Sequence, residues 1–396
     1  MIASVSWQHP NPPSTCFLIR EVVCNTASLS KPPKACSDST ATRRFLLKYQ
    51  SSASLISSSY HSLTTSTHCS PYSLPRRQIL KYYTMWPFSG GVSFTANDIP
   101  SLEGKVILVT GGNSGLGKHS VLEFARHGAK EIWLASRSVE KSDQAIEDIK
   151  KEVPNVNIKP LSLDLTSLES VRNAARTFTQ SSKRLDILML NAGIMAAPAE
   201  LTKDGYELQF GTNHMGHALL TKLLTPVLEK TAAEPGSDVR VVVLTSTGAA
   251  MAATGGIDFE SLRTTAEPMG AWVRYGQSKL ANALFARQLA KEHPSWTAVS
   301  VHPGVINTNL GHYLEEWHWM ARAVSPVAKC LLTTVETGAR GQLWAATAPK
   351  GDIKTGEMYF PVGDLGSGPR GQYYNDDALA KRLWDWTEKE FEGQEL

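Results

Sequence analysis

A tyrosine and a lysine lie four residues apart in the segment "RYGQSK" at residues 274 to 279. In a helix of about 3.6 residues per turn, Tyr275 and Lys279 share one face, one turn apart. An ammonium beside a phenol favours the phenolate and lowers its pKa, so this pair could hold and release a proton. Helices also carry such pairs when a lysine only extends along an apolar surface. The pair by itself leaves both interpretations open.

A glycine-rich segment, "TGGNSGLG" at residues 110 to 117, lies between the apolar run "KVILVT" and the helical pattern "KHSVLEFARHG". Glycines at 111, 115 and 117 permit a tight turn, close approach of the backbone to a pyrophosphate, and close packing of a helix on a strand. In this context the segment predicts a dinucleotide-binding loop. A plain turn is the alternative.

Short β-branched or apolar runs alternate with longer helical patterns from residue 105 onward. The runs are "KVILVT" (105 to 110), "EIWLAS" (131 to 136), "NIKPLSL" (157 to 163), "LDILML" (185 to 190), "VRVVVL" (239 to 244) and "TAVSVH" (297 to 302), with a last strand "EMYFPV". Nearly continuous hydrophobicity is typical of strands that are covered on both faces. The pattern predicts an α/β fold with one doubly wound, Rossmann-type parallel sheet and helices on both faces.

The first 84 residues differ from the rest in composition. They contain 17 serines, eight threonines, nine basic residues and two acidic ones, which give this segment a net charge of +7. Because the whole chain carries a net charge of +3, the remaining residues carry −4. Such a segment buries too little apolar surface to offset its ordering entropy, and we expect disorder there. We therefore divide the chain into an extension (1 to 84) and one catalytic domain (85 to 396).

Two interpretations of this extension stay open. Its Ser- and Arg-rich, acid-poor composition resembles a transit peptide, which would direct the protein to mitochondria. Alternatively, "MWPFSGG" at Met85 is the natural start, and we favour this second interpretation with a cytoplasmic location. Beyond the extension Cys330 is the one cysteine, consistent with a reducing compartment.

The most apolar long stretch runs from 317 to 332, but it contains Arg322 and Lys329. A membrane span needs about 18 to 20 apolar residues, which no run in the sequence provides. We expect a lid helix there, and membrane contact that is at most peripheral. The tryptophan-rich "HYLEEWHWM" (312 to 320) either shapes an apolar substrate pocket or packs in the core.

Further motifs follow the glycine loop in a fixed order. They are "SLDL" with Asp164, "NAGI" at 191 to 194, "TNHMGH" with Asn213, "LTSTG" with Ser246, "YGQSK" with Tyr275 and Lys279, and "HPGVINT" at 302 to 308. With its TGxxxGxG loop, the chain resembles the short-chain dehydrogenase/reductase family from roughly residue 100 to the C-terminus. The segments "NHMGHALLT" and "YGQSKLANALFARQLA" are most similar to the retinol-dehydrogenase-like branch, which includes WW-domain oxidoreductases, although no WW domain is visible.

The resemblance implies a catalytic set of Ser246, Tyr275, Lys279 and Asn213. In the family pattern the tyrosine donates or accepts the proton, the lysine also bonds the nicotinamide ribose, the serine bonds the substrate oxygen, and the asparagine serves a water relay to the lysine. Each has a structural alternative: Ser246 could cap a turn after a strand, and Asn213 could be a buried polar group of a helix.

The resemblance also implies a coenzyme site. Its residues are Gly111, Asn113, Ser114, Gly115, Leu116, Gly117, Lys118, Arg137, Asp164, Leu165, Asn191, Ala192, Gly193, Tyr275, Lys279, Pro303, Ile306 and Thr308. A carboxylate at the end of the second strand would bind the ribose hydroxyls of NAD and repel a 2'-phosphate. Here Ser136 stands in that place and Arg137 follows, with a guanidinium suited to a phosphate. We therefore expect NADP rather than NAD.

The expected function is NADP-dependent transfer of a hydride between nicotinamide and a carbonyl or alcohol of an apolar small molecule, and a biosynthetic pathway is the expected setting. A catalytically idle nucleotide-binding scaffold is the alternative from another class, and a sugar epimerase with the same Tyr-Lys pair is a third.

We expect His214, His217 and His302 to be core or helix histidines, with no metal site. We expect no nucleic-acid partner, and homo-oligomerisation is left open.

Overall fold

The computed structural model describes residues 91–304, 306, 333–366 and 371–395. The extension, Met85 and the stretch from 317 to 332 lie outside the described residues, so the predictions made for them stay predictions. Within the described part, no helix combines the length and apolar character that crossing a membrane requires.

Each predicted apolar run forms a strand. The strands are β1 (Val106–Thr110), β2 (Glu131–Ser136), β3 (Ile158–Ser162), β4 (Ile187–Leu190), β5 (Arg240–Leu244), β6 (Thr297–Val301) and β7 (Met358–Tyr359). They form a parallel sheet in the order β3-β2-β1-β4-β5-β6-β7. This confirms the predicted doubly wound fold, although β7 is shorter than the run "EMYFPV" suggested.

Helices connect the strands and cover the sheet. They are α1 (Gly115–Arg126), α2 (Val139–Glu152), α3 (Leu168–Ser181), α4 (Gly216–Ala232), α5 (Gly270–Glu292), α6 (Val335–Thr347) and α7 (Asp377–Glu390). A short α turn (Leu208–Phe210) and a π-helical turn (Gly211–Met215) lead directly into α4. A 3₁₀ turn (Thr247–Met251) follows β5. Several N-termini are capped by side chains, as where Ser167 accepts a hydrogen bond from the Ser170 amide before α3.

The strands bury side chains on both faces. Along β1, Leu108 belongs to a core cluster shared with α3, α4, α5 and α7, whereas Ile107 and Val109 belong to a second cluster shared with α1, α2 and α6. This alternation is the two-residue period of a strand. Because both faces are apolar, the runs read as continuous hydrophobicity in the sequence.

The sheet reverses its winding between β1 and β4, which lie side by side. In open parallel sheets a crevice forms at such a point, outside the carboxyl ends of the strands. Thr110, the last residue of β1, joins the two strand ends there. Its buried hydroxyl accepts hydrogen bonds from the backbone amides of Asn191 (2.9 Å) and Ala192 (3.0 Å), and it lies 2.9 Å from His217 Nε2.

Replacing Thr110 by valine should therefore destabilise the protein. The Thr110→Val variant keeps the shape of the side chain but leaves two amides and an imidazole nitrogen without their partner, at a cost of roughly 1–3 kcal/mol in the free energy of unfolding. Urea unfolding measures this change, and Thr110→Ser, which keeps the hydroxyl, is the control. Equal stability of the valine and serine variants would show that the hydroxyl does not hold this junction.

Candidate active site

The glycine loop closes tightly between β1 and α1. Gly111 has a φ of +68°, in the left-handed region that favours glycine. A Cβ on Gly117 would lie 2.2 Å from Gly111 O and 2.6 Å from Asn191 Nδ2, so only glycine allows α1 to start this close to the loop. The loop is thus shaped for backbone approach to a bulky anion, which fits the pyrophosphate of a dinucleotide.

The N-terminus of α1 opens into the same crevice. Ser114 is the N-cap residue, but its side chain makes no capping hydrogen bond. Asn113 is half-buried, Ser114 is exposed and Leu116 is buried. Lys118, in the first turn of α1, bonds Asp148 of α2 at 2.8 Å. This ion pair holds the lysine over the start of the helix.

The ends of β2 and β3 provide the groups expected around the adenosine half. The Ser136 hydroxyl is buried and lies 2.6 Å from Ser142 Oγ, whereas the following Arg137 is exposed. Past β3, the carboxylate of Asp164 accepts hydrogen bonds from Thr166 and from Lys203 Nζ (3.1 Å), and these contacts hold its pKa below the usual value despite partial burial. Leu165, next to it, is buried.

The segment 191 to 193 after β4 lies across the crevice from the glycine loop. Asn191 Nδ2 donates to Thr110 O at 2.8 Å, which fixes the segment to the end of β1. A Cβ on Gly193 would lie 3.1 Å from Asn213 Oδ1 and 3.3 Å from Lys279 Nζ. Gly193 therefore brings together the ends of two predicted catalytic side chains.

Asn213 lies in the π-helical turn before α4 and is fully buried. Its amide accepts a hydrogen bond from Ile194 N (2.8 Å) and donates to Ile194 O (3.0 Å) and to Ser278 Oγ (2.9 Å). It therefore links the segment after β4 to α5. A π turn inside a helix is often found at a functional site.

Ser246 and Tyr275 meet at the carboxyl end of β5. Ser246 is half-buried, and its hydroxyl accepts a hydrogen bond from Gly248 N at 3.0 Å, so it does cap a turn, as the structural alternative proposed. The same hydroxyl faces Tyr275, where its interaction lowers the pKa of the phenol. Capping and contact with the tyrosine are thus compatible, because the cap uses only one lone pair.

Lys279 lies one turn further along α5, and its Nζ donates to Leu244 O at 3.1 Å. Lys279 is 5% exposed, and burial lowers the pKa of its ammonium from the ordinary lysine value to about 8. The lysine thus gives up part of its charge just above neutral pH.

The pKa of Tyr275 is shifted upward, opposite to the direction that its spacing from Lys279 predicted. Burial raises the pKa of Tyr275 above 10, and the interaction with Ser246 only partly opposes this. Desolvation disfavours the charged forms of both the Tyr275 phenol and the Lys279 amine. Helical spacing alone does not reveal how completely these groups are buried from water. The phenol is therefore held in its neutral, proton-donating form.

The three histidines have hydrogen-bond partners within the fold, as expected for core histidines. His214 Nε2 lies 3.4 Å from Thr387 Oγ1, and His302 Nδ1 accepts from Thr247 N at 3.4 Å. His217 Nδ1 lies 3.0 Å from Asn213 O, which requires Nδ1 to carry the proton and leaves Nε2 to accept from Thr110. Burial lowers the pKa of His217 to about 4, which keeps it neutral.

The loop after β6 completes the crevice in part. Pro303 and Ile306 are half-buried, and Ile306 pairs with Thr333. A Cβ on Gly338 would lie 2.2 Å from Ile306 Cδ1, so α6 packs directly on this loop. Thr308 lies outside the described residues, so its coenzyme contact stays a prediction.

Two buried polar residues beside the site, Arg274 and Gln342, are not among the predicted site residues. Arg274 immediately precedes Tyr275 and forms an ion pair with Glu207. On α6, Gln342 donates to Ser120 Oγ (2.7 Å) and Asn191 Oδ1 (3.3 Å). A charged residue directly before the tyrosine was a signal for the first, but nothing in the sequence indicated its burial.

The fold is of the doubly wound α/β class, and the candidate site lies in the crevice at the carboxyl ends of its strands. Residues 105–261 match the family described as short chain dehydrogenase. The sequence is 42% identical over 305 residues to an uncharacterized oxidoreductase of Schizosaccharomyces pombe, covering 76% of this chain and 88% of that protein. It is 34% identical over 300 residues to retinol dehydrogenase 13 of Homo sapiens, covering 75% and 86%.

A solved structure agrees with these similarities. An uncharacterized protein from Mycobacterium Paratuberculosis superposes with a TM-score of 0.57 at 30% identity, covering 76% of this chain and 97% of that one. The chain belongs to the short-chain dehydrogenase/reductase family, whose fold binds a nicotinamide coenzyme. The predicted family resemblance is confirmed, and with it the general class of oxidoreductase.

The burial of Lys279 generates a test that depends on pH. Its pKa is about 8 in the folded protein and near 10.5 when exposed. Between these pH values the lysine is protonated in the unfolded state but not in the folded state. The free energy of unfolding of the parent protein therefore rises with pH across this window. The Lys279→Met variant lacks this term. Its stability relative to the parent should therefore be greatest below pH 8 and should decline as pH rises toward 10.5. Urea unfolding of both proteins at several pH values measures the difference, and a difference independent of pH would contradict the depressed pKa.

Proposed function

We propose that this protein is an NADP-dependent oxidoreductase that transfers a hydride between nicotinamide and a carbonyl or alcohol group of an apolar small molecule. The observation that carries this proposal is the convergence of Asn213, Ser246, Tyr275 and Lys279 at the carboxyl ends of β4 and β5, beside the glycine loop. Asn213, Ser246 and the Tyr275–Lys279 pair come from three separate parts of the chain, and no helical or strand periodicity requires these three parts to meet.

The residues around the crevice fit a dinucleotide. The glycine loop and the uncapped N-terminus of α1 would hold the pyrophosphate, Asp164 and Leu165 the adenine side, and the segment 191 to 193 with Pro303, Ile306 and Thr308 the nicotinamide side. When bound, the coenzyme supplies or accepts the hydride. The chain's own residues must then orient the substrate and move one proton.

Tyr275 is the group that moves this proton. In the reductive direction a carbonyl oxygen gains negative charge as its carbon accepts hydride, and the neutral phenol donates its proton to that oxygen. Ser246, which faces Tyr275, stabilises the developing charge by donating a hydrogen bond. Since burial holds the phenol neutral, the site is prepared for donation, and the oxidative direction would require the phenol to ionise first.

Lys279 supports this step through its charge. Its ammonium lies in the same buried pocket, bonded to Leu244 O, and it is largely protonated at neutral pH because its pKa is about 8. In a pocket of low dielectric, a nearby positive charge stabilises a phenolate more strongly than it would in water. The lysine can therefore limit the cost of leaving Tyr275 ionised after donation.

Preference for NADP is supported by the end of β2. A serine whose hydroxyl bonds Ser142 offers no carboxylate to repel a 2'-phosphate. The exposed Arg137 that follows can make charge-assisted, bidentate hydrogen bonds to a phosphate.

An apolar substrate is supported by Trp272. It precedes Tyr275 by one helical turn on the same face of α5, is only partly buried, and meets the tyrosine ring edge-on with ring centroids 6.3 Å apart. Lys279 continues this face on the opposite side of Tyr275. The indole therefore extends the site away from the lysine with an aromatic wall that favours apolar or aromatic groups.

Removing the hydroxyl of Tyr275 should abolish turnover without abolishing coenzyme binding. In the Tyr275→Phe variant no group can protonate the alkoxide, and we expect kcat to fall by about 10²–10⁴-fold. The assay follows NADPH absorbance over a panel of ketones, aldehydes and alcohols, with NADPH binding measured by fluorescence.

The control is Tyr206→Phe, which removes a hydroxyl bonded to Glu390 away from the site. Full turnover by Tyr275→Phe would exclude the tyrosine, and coenzyme binding without turnover by the parent on any substrate would favour the idle scaffold.

Arg137 should set the choice of coenzyme. The Arg137→Ala variant loses charge-assisted hydrogen bonds worth about 1.5–3 kcal/mol, so the KM for NADPH should rise roughly 10- to 100-fold while that for NADH changes little. Arg176→Ala, at an exposed arginine on α3, is the matched control. A parent protein that prefers NADH tenfold in kcat/KM would overturn the NADP assignment.

A further inference from the structure

Arg274 and Glu207 form a buried ion pair one residue before Tyr275. Arg274 Nη1 lies 2.9 Å from Glu207 Oε1, and the side chains are 3% and 0% exposed. Buried charges are costly unless they are paired and fully hydrogen-bonded. Their burial beside the proton donor therefore requires an explanation that the coenzyme and proton-transfer roles do not provide.

The pair joins three parts of the candidate site. Besides Glu207, the Arg274 guanidinium donates to Pro198 O (2.9 Å) and to Ala197 O (3.0 Å). The second carboxylate oxygen of Glu207 accepts from Phe210 N at 2.7 Å and so caps the turn that leads to Asn213. One ion pair thus ties α5 to the loop after β4 and to the start of the helix that carries the asparagine.

The loop from 194 to 198 is held at both ends by residues of the site. At one end Asn213 bonds both the amide and the carbonyl of Ile194, and at the other Arg274 bonds two successive carbonyls. Between these points Ala196 has a φ of +52°, a left-handed conformation that a residue with a Cβ adopts only at a cost. Such a conformation persists when its surroundings enforce it, and the Arg274 hydrogen bonds begin at the next residue.

Stability alone accounts poorly for this arrangement. Replacing a buried ion pair by apolar side chains of similar volume is often neutral or stabilising, so fold stability does not require these charges. A planar guanidinium with a fixed fork of donors does, however, set geometry. It can hold two carbonyls and one carboxylate in a defined relation to the second turn of α5, which carries Tyr275.

We propose that Arg274 and Glu207 are positioning residues that hold the loop from 194 to 198 and the turn before Asn213 in register with Tyr275. The inference rests on the proposed function for its kinetic consequence, but not for its structural one. Neither residue needs to touch substrate or coenzyme. Their effect reaches the reaction through the loop and through α5, and a displacement of about 1 Å in such a frame can cost on the order of 100-fold in rate.

The test compares three variants. Arg274→Lys keeps the charge but loses the planar set of guanidinium donors. The double variant Arg274→Met with Glu207→Leu removes both charges. Arg287→Lys is the matched control on the same helix, where the arginine bonds Asp377 nearer the surface. Kinetics with the best substrate of the panel give kcat and KM, fluorescence gives NADPH affinity, thermal unfolding gives Tm, and hydrogen exchange reports on the loop from 194 to 198.

We expect the double variant to remain folded but with a lowered Tm, because the Phe210 amide and two loop carbonyls lose their partners, and to lose roughly 10- to 100-fold in kcat. Its NADPH affinity should change little and its loop amides should exchange faster. Arg274→Lys should recover part of kcat, and Arg287→Lys should behave like the parent. A folded double variant with parental kcat and parental loop exchange would overturn the proposal. If the parent reduces no substrate, the proposed function fails, and the positioning role is then decided by loop exchange alone: faster exchange supports it and unchanged exchange overturns it.

Discussion

The hydrogen bonds of the Thr110 hydroxyl hold the centre of this structure together. They lie where the sheet reverses its winding, so β1 and β4 must end at one place although 79 residues separate Thr110 from Met189. From this point the glycine loop continues β1, the segment 191 to 193 continues β4, and His217 connects onward to Asn213 O. A parallel sheet brings strand ends together, but the hydroxyl fixes how the two loops face each other.

Desolvation governs the electrostatics of the site. Burial raises the pKa of Tyr275 and lowers those of Lys279, His217 and His302. Each group is thereby shifted toward its neutral form. The histidines, with pKa values near 3 to 4, stay neutral and serve as hydrogen-bonding members of the fold. Of these four groups, Lys279, at about 8, is the one whose charge changes near physiological pH, which concentrates the proton chemistry on the Tyr275–Lys279 pair.

The same side chains serve folding and the proposed chemistry. Asn213 fixes Ile194 and Ser278, Ser246 caps the turn after β5, and Lys279 bonds Leu244 O. For Asn213 and Ser246 the structural alternative weighed from the sequence describes a real contact, and it leaves the functional interpretation standing, whereas Lys279 is buried rather than extended along a surface. A side chain with several donors or lone pairs can satisfy its neighbours and still present one group to a ligand. The rigid contacts are also what preorganises the site.

The sequence by itself determined the strands, their parallel arrangement and the motif order. Continuous apolar runs mark most of the strands because both of their faces are buried, whereas the edge strand β3 leaves Pro160 and Ser162 exposed. The glycine spacing marks the loop because no Cβ fits there. These signals are local, so neighbouring residues carry them. Tertiary structure decided the direction of the Tyr275 pKa shift, which depends on burial by distant segments. It also decided the Arg274–Glu207 pair, whose members are 67 residues apart, because only packing brings such residues into contact and removes them from water.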